Sequence, residues 1–399
     1  MNGYRCYACD ETQDAGFSGW VCPSCGGNLD ITNDHDTILE QIRQAPFDTP
    51  RIPLHIGQTP LYAAARMGQS IGLRNLYLKD DTLNPSASSK DRASAMAVLR
   101  ALDMGANTVA VASTGNAGSS LACVAAAAGI KAVVFVPESA PVAKLTQALS
   151  FGASVLAVRG SYDDAFDLCL AASDEFGWFN RSTGINPFTR EGKKFCAWEI
   201  WASLDGRVPD RVVVPTGDGN LLSAMWKGWC ELQAVGLIDR LPKIDCAQSS
   251  GSDAICRTVA TVRSGPPVDW STVRLEAVNA HTVADSISVD LPRDGLAAVR
   301  AIVESGGLAV TVPDETILAA IPEMASLSGV FPEPAAAAPW AAVKQLVREK
   351  KIEADETIVC LVSGNGLKDI ASARTATGRP QLIEASLDAV RSALAKVRA

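Results

Sequence analysis

From Leu76 to Val362 the chain alternates short runs of β-branched and apolar residues with helix-length segments, and this alternation restricts the fold more than any other feature. Strands are expected at Leu76–Leu78, Thr108–Ala112, Ala132–Val136, Ser154–Val158, Arg211–Val214, Ile244–Ala247, Leu308–Val312 and Thr357–Val362. Helices are expected at Lys90–Met104, Ala117–Ala128, Val142–Phe151, Asp163–Glu175, Leu221–Val235, Ser252–Val262, Arg293–Glu304, Asp314–Ser326 and Ala335–Glu349. Short strands set between helices of this length mean α/β layers built on parallel sheets. The chain has 399 residues, enough for two or three domains and a large core.

Composition removes several classes of function. Hydrophobic residues make up 47% and charged residues 20%, which excludes a mainly disordered chain. Acidic side chains outnumber basic ones, 44 to 36, for a net charge of −8, which argues against binding nucleic acid by phosphate neutralisation. No apolar run approaches the ~18 residues needed to cross a bilayer, and MNGYRCYACD contains no signal-peptide region. The expectation is a soluble, cytoplasmic protein without nucleic-acid or membrane partners.

Eleven cysteines fall into two groups. Cys6, Cys9, Cys22 and Cys25 form two C-x2-C knuckles, a spacing that supplies four thiolates to one tetrahedral metal. Four thiolates close a zinc site, so a structural zinc in a ribbon-like segment over residues 1–33 is expected, with free or disulfide-linked thiols as the alternative. The rest, such as Cys123, Cys169 and Cys360, lie among apolar neighbours and read as small core residues.

In α/β folds ligands sit beyond the carboxyl ends of the strands. Four loops there join glycine or small hydroxyl residues to the start of a helix: Asn84–Arg92 (NPSASSKDR), Ser113–Gly118 (STGNAG), Thr216–Asn220 (TGDGN) and Ser363–Asp369 (SGNGLKD). Glycine lets backbone N–H groups approach a ligand, and a helix N-terminus favours an anion. Four such loops in one chain point to a polyanionic ligand held from several sides. GDGNLLS lacks the third glycine of a dinucleotide fingerprint, REGKKF lacks the features of a phosphate-binding P-loop, and no G-x-S-x-G elbow occurs. His35, His55 and His281 lie far apart, with no metal-ligand spacing. Lys90 opens a helix, where a positive charge is disfavoured, so its amine should have a lowered pKa suited to Schiff-base chemistry. A solvated lysine in a turn is the plain alternative.

Taken together, SASSKDR, VASTGNAGSSLA, VPTGDGN and SGNGLKD resemble the fold-type-II pyridoxal-phosphate enzymes, and among them threonine synthase and its relatives, from about Thr59 to Asp369. The resemblance implies a small domain over 100–205 and a larger cofactor-binding domain from 34–99 and 206–399. It implies that Lys90 binds the cofactor covalently and that Asn116 meets its phenolic oxygen. Gly217, Asp218, Gly219, Asn220 and Leu221 would cradle its phosphate, and Ser363 would face its pyridine nitrogen. Asp218 must then turn its carboxylate away from the phosphate. Ser113, Thr114, Gly115 and Ala117 match the loop that receives the substrate carboxylate.

The implied reaction converts O-phosphohomoserine and water into threonine and phosphate, with Lys90 moving the protons. Arg190, Lys193 and Thr189 are the candidates for gripping the leaving phosphate. The alternative for Arg190 and Lys193 is an exposed cluster with Glu191 at a helix start. The chain departs from the threonine synthase pattern at Ser89, in the shortened phosphate loop, and at Thr189, where that family tends to carry arginine. A relative carrying out β-elimination or β-replacement on serine, threonine or phosphoserine is the second reading. The expected partner is a small amino-acid substrate, and a homodimer is compatible with the sequence.

Overall fold

The structure is a computed structural model that describes residues 1–44, 47–140, 142–265 and 267–397. Its N-terminal segment is a three-stranded antiparallel sheet in the order β2-β1-β3, from β1 (Gly3–Cys6), β2 (Thr12–Asp14) and β3 (Leu29–Thr32). The helix α1 (His35–Arg43) follows, with Asp34 accepting a hydrogen bond from Thr37 N as its N-cap.

Two parallel sheets make up the rest. The chain enters the larger through β4 (Leu61–Ala63), α2 (Ala65–Ser70) and β5 (Asn75–Asp80), then leaves along α3 (Lys90–Asp103). The smaller sheet takes β6 (Thr108–Ala112), α4 (Asn116–Ala128), β7 (Lys131–Pro137), α5 (Val142–Ser150), β8 (Ser154–Val158), α6 (Tyr162–Phe176) and the two-residue β9 (Phe179–Asn180). Its strand order is β8-β7-β6-β9, all parallel. The helix α7 (Phe188–Ser203) leads back through β10 (Arg211–Pro215), α8 (Asn220–Ala234), β11 (Lys243–Ser249), α9 (Ala254–Ser264), α10 (Gly295–Glu304), β12 (Ala309–Val312), α11 (Asp314–Ser328), α12 (Pro334–Arg348) and β13 (Thr357–Val362). Helices α13 (Ile370–Thr377) and α14 (Leu387–Val397) close the chain. The larger sheet has the order β12-β11-β10-β13-β5-β4, parallel except for β4 at the edge.

The central strands explain the packing. β6 and β10 are buried along their whole lengths, as strands covered on both faces must be. The largest departure from the sequence reading is α7, which was not among the expected helices. Its charged start is not the exposed cluster considered above, because Arg190, Glu191, Lys193 and Lys194 are all buried. Arg190, Glu191 and Lys194 are tolerable there because they are ion-paired: Arg190 meets Asp294, Lys194 Nζ lies 2.5 Å from Glu191 and 2.8 Å from Glu231, and Lys227 lies 3.1 Å from Glu191, whereas Lys193 has only the Asn220 amide oxygen.

Candidate active site

Four strand ends converge. β5 leads to Lys90, β6 to Ser113–Ala117, β10 to Thr216–Asn220 and β13 to Ser363–Gly366, all on the carboxyl side of their sheets. The Lys90 turn is clasped to the β13 loop: Ser89 N donates to Ser363 O at 2.8 Å, Asn365 N donates to Ala87 O at 3.1 Å, and Ser88 bridges Gly364. Ala87 sits at φ +64°, a left-handed conformation that costs a non-glycine residue about 1 kcal/mol or more. Beneath it, Asp91 accepts from Ser86 N and Oγ at 2.7 and 2.5 Å, and Arg92 pairs with Asp81 and Glu199. Lys90 therefore stands on a turn held from both sides by backbone hydrogen bonds and buried ion pairs.

Burial lowers the Lys90 pKa, while the carboxylates of Asp218 and Glu333 pull it back up. The larger cause is desolvation, not the helix terminus that the sequence suggested. A narrow slot brings Lys90 together with Gly217, Asp218, Gly219, Leu221 and Ser363. Next to it lies a cleft of about 360 Å³ lined by Gly115, Asn116, Ser119, Gln147, Glu333 and Lys368, with Ser286 on the wall of both. Ser113, Thr114 and Ala117 are half-buried around the same turn, with Ser113 Oγ accepting from Gly115 N at 3.2 Å.

The geometry of the Thr216–Asn220 loop is set by Gly219 at φ +93°, which turns the chain into α8. Asp218 does not turn away from this loop. Its Oδ1 accepts from Asn220 N at 3.1 Å, satisfying one of the free donors at the helix start. An anion entering the loop competes with it for that donor.

Other expected residues lie elsewhere. Arg190 lines neither the slot nor the cleft; it pairs with Asp294, lies 3.3 Å from Asp30 and stacks 4.4 Å from the Tyr7 ring. Thr189 Oγ1 donates to Asn186 O at 2.8 Å. Lys193 Nζ donates to Asn220 Oδ1 at 2.5 Å, at the start of α8, and burial together with the nearby Lys90 charge pushes its pKa well down.

Several residues of the site were not singled out from sequence. Glu333 caps α12 and accepts from Asn116 Nδ2 at 2.9 and 3.1 Å; burial raises its pKa. Its only sequence signal is an acid directly before the proline that starts an alanine-rich helix. Lys368 lies within SGNGLKD and reaches Ser119 Oγ and Gln147 Oε1. Arg181 lines neither the slot nor the cleft, but its charge bears on Lys90; it is fully buried beside β6, donating from Nε to Ser94 Oγ at 3.2 Å and from Nη1 to Thr183 Oγ1 at 3.0 Å. Its Nη2 has no partner, and it forms no ion pair among the described residues. Burial lowers its pKa to about 10, with Asp218 the main charge acting the other way.

The family described as pyridoxal-phosphate-dependent enzyme matches residues 52–364, a span containing the first three loops whole and the start of the fourth. A threonine synthase of Methanosarcina acetivorans is 37% identical over 99% of both chains, and one of Methanocaldococcus jannaschii is 35% identical over 98% of both. The chain belongs to the pyridoxal-phosphate-dependent enzymes of threonine synthase type. Its fold is also that of a processed threonine deaminase isoform from Solanum lycopersicum, with a TM-score of 0.70 at 20% identity over 87% of this chain and 94% of the other. Fold type II, a pyridoxal phosphate cofactor and lyase chemistry follow from membership of this family.

Among the described residues, Cys6, Cys9, Cys22 and Cys25 form the one cluster suited to a metal, with ligand atoms within 4.8 Å of one another. Three sulfur pairs stand 3.4, 3.5 and 3.7 Å apart. Gly27 closes the cluster, since a Cβ there would lie 3.0 Å from the Cys6 sulfur.

Proposed function

We propose that this chain converts O-phosphohomoserine and water into threonine and phosphate with pyridoxal phosphate bound on Lys90. The observation that supports it most directly is Lys90 itself: a half-buried lysine whose desolvated amine has a lowered pKa, in one slot with the α8 loop and Ser363. The residues suit the cofactor. Ser88 and Ser89 beside Lys90 have buried hydroxyls without partners, and the N–H groups opening α8, one of them held by Asp218, suit a phosphate. Bound there, pyridoxal phosphate supplies an electron sink for charge that develops on the substrate's carbons.

In this reading Asn116 orients the cofactor's phenolic oxygen and Glu333 fixes the amide of Asn116. Ser113, Thr114, Gly115 and Ala117 receive the substrate carboxylate, the turn at Gly217–Leu221 receives the cofactor phosphate, and Ser363 meets the pyridine nitrogen. The Lys90 amine carries protons between the substrate carbons. The remaining anion is the leaving phosphate, and we assign it to Arg181. A buried guanidinium with a free donor and no carboxylate partner is costly unless a ligand anion pairs with it. Arg190, by contrast, already has its carboxylates, and Lys193 is engaged behind the loop.

The test is incubation of purified holoenzyme with O-phosphohomoserine. Threonine and phosphate should appear in equal amounts. Ammonia and a keto acid from serine or threonine, with no phosphate released, would favour the β-elimination reading.

We further propose a structural zinc on the four N-terminal cysteines. A tetrahedral site with bonds of about 2.3 Å needs sulfurs about 3.8 Å apart, close to the spacing found here. A cytoplasmic location accords with seven cysteines outside the metal cluster that form no disulfide, which a reducing compartment would preserve and fractionation would test. A homodimer is supported by Leu387, Val390 and Leu394, an exposed apolar stripe along α14; light scattering showing a monomer would remove it.

A further inference from the structure

Resting on the reading that Gly217–Leu221 holds the cofactor phosphate, we infer that the cysteine ribbon positions this loop through Asp294, so that metal on the ribbon and phosphate on the loop bind cooperatively. Asp294 is buried, and three separate parts of the chain meet on it. From the ribbon, Asn28 Nδ2 donates to Asp294 Oδ1 at 3.0 Å and to Arg293 O at 2.6 Å. From α7, Arg190 pairs with the same carboxylate. From the phosphate loop, Asn220 Nδ2 donates to Asp294 Oδ2 at 2.6 Å, and Asp294 N donates to Asp218 O at 3.0 Å. The backbone also packs closely here, since a Cβ on Gly219 would stand 2.7 Å from Asp294 O.

The ribbon's share of this junction depends on both knuckles. Asn28 is tied to the first by Tyr7 N, which donates to Asn28 O at 3.0 Å, and to the second by its bridge to Val21. Arg190 leans on the ribbon as well: Nη1 donates to Leu29 O at 3.0 Å, Asp30 lies 3.3 Å away, and the Tyr7 ring covers the guanidinium. A segment of about 30 residues rarely holds such a shape without a metal or a neighbouring domain, and here Tyr4, Leu29 and Ile31 pack on the body while the metal would fix the knuckles that carry Asn28. Losing it removes Asn28 from Asp294, uncovers Arg190 and frees the carboxylate that holds Asn220. Asp294 and Arg190 are therefore positioning residues, acting on the phosphate through Asn220 and Asp218 without touching it.

The test uses the full chain freed of cofactor, either loaded with zinc or stripped by a chelator. Each form is titrated with pyridoxal phosphate and, separately, with phosphate-free pyridoxal. Stripping should raise the Kd for pyridoxal phosphate about tenfold or more, within the range usual for coupled sites, and leave that for pyridoxal unchanged. Asn28→Ala should reproduce the weakening with zinc still bound, and stripping this variant should add little. Reciprocity requires saturating pyridoxal phosphate to raise zinc affinity by the same factor. The inference is overturned by an unaltered Kd in stripped protein, by equal losses for both ligands, or by a ribbon that takes no metal. Borohydride labelling keeps the two readings apart: no cofactor on Lys90 defeats the cofactor reading, whereas a labelled Lys90 with metal-independent affinity defeats only the coupling.

Discussion

Replacing Arg181 by methionine should stabilise the cofactor-free protein while disabling it toward a phosphorylated substrate. The guanidinium is held at a pKa of about 10 against an ordinary 12.5, so the folded state binds this proton less tightly than the unfolded chain. The penalty is present in full at neutral pH and fades only as pH rises from about 10 through 12.5. A shift of that size corresponds to about 3 kcal/mol. Methionine keeps most of the volume but gives up the hydrogen bonds to Ser94 and Thr183, worth about 1 kcal/mol each. The net expectation is a gain of about 1 kcal/mol, read by urea unfolding of cofactor-free protein at neutral pH. For O-phosphohomoserine the variant leaves a buried phosphate unpaired, at about 2–5 kcal/mol, so kcat/KM should fall between roughly thirty-fold and several thousand-fold. Turnover of unphosphorylated serine should change little. A variant that loses several kcal/mol of stability yet processes O-phosphohomoserine normally would show Arg181 to be a structural residue and refute the assignment.

Glu199 should control part of the acid limb of stability. Burial pushes its pKa up, but Arg92 and Lys79 overcome this and hold it at about 2, so its contribution is complete above about 4.5 and is lost as pH falls toward 2. Glu199→Gln should be less stable at neutral pH, with the difference from the parent narrowing across that window in urea titrations. Gly219→Ala places a methyl group 2.7 Å from Asp294 O at a φ of +93°. It should cost about 1–3 kcal/mol and weaken pyridoxal phosphate more than pyridoxal in fluorescence titrations; equal affinities would contradict the loop assignment.

The parts of the fold legible in sequence were those whose burial follows hydrophobicity. TVAVA and TIVCLV are apolar runs between turn residues, and each forms a buried strand over the residues expected; SVLAV also forms its expected strand, although at the edge of the smaller sheet it stays largely exposed. The start of α7 was hidden because Arg190, Glu191, Lys193 and Lys194 look solvated, and only contacts with Glu231, Lys227, Asp294 and, for Lys193, Asn220 make their burial tolerable. β9 was too short to show a period. The four candidate loops were visible because glycine and hydroxyl residues directly follow strands. Arg181 and Glu333 were not, since neither FNRS nor FPEP is unusual locally. Arg181 comes near enough for its charge to act on Lys90 only because β9 pairs beside β6, and Glu333 meets Asn116 because α12 starts beside it.

The central claim is a cofactor held on Lys90, and reduction of the holoenzyme with borohydride followed by peptide mapping tests it most directly. The account predicts one pyridoxyl group per chain, carried on Lys90, with Lys90→Ala retaining only unreducible, dissociable cofactor. A label on Lys193, Lys368 or any other lysine, or a holoenzyme with no reducible linkage, would contradict it.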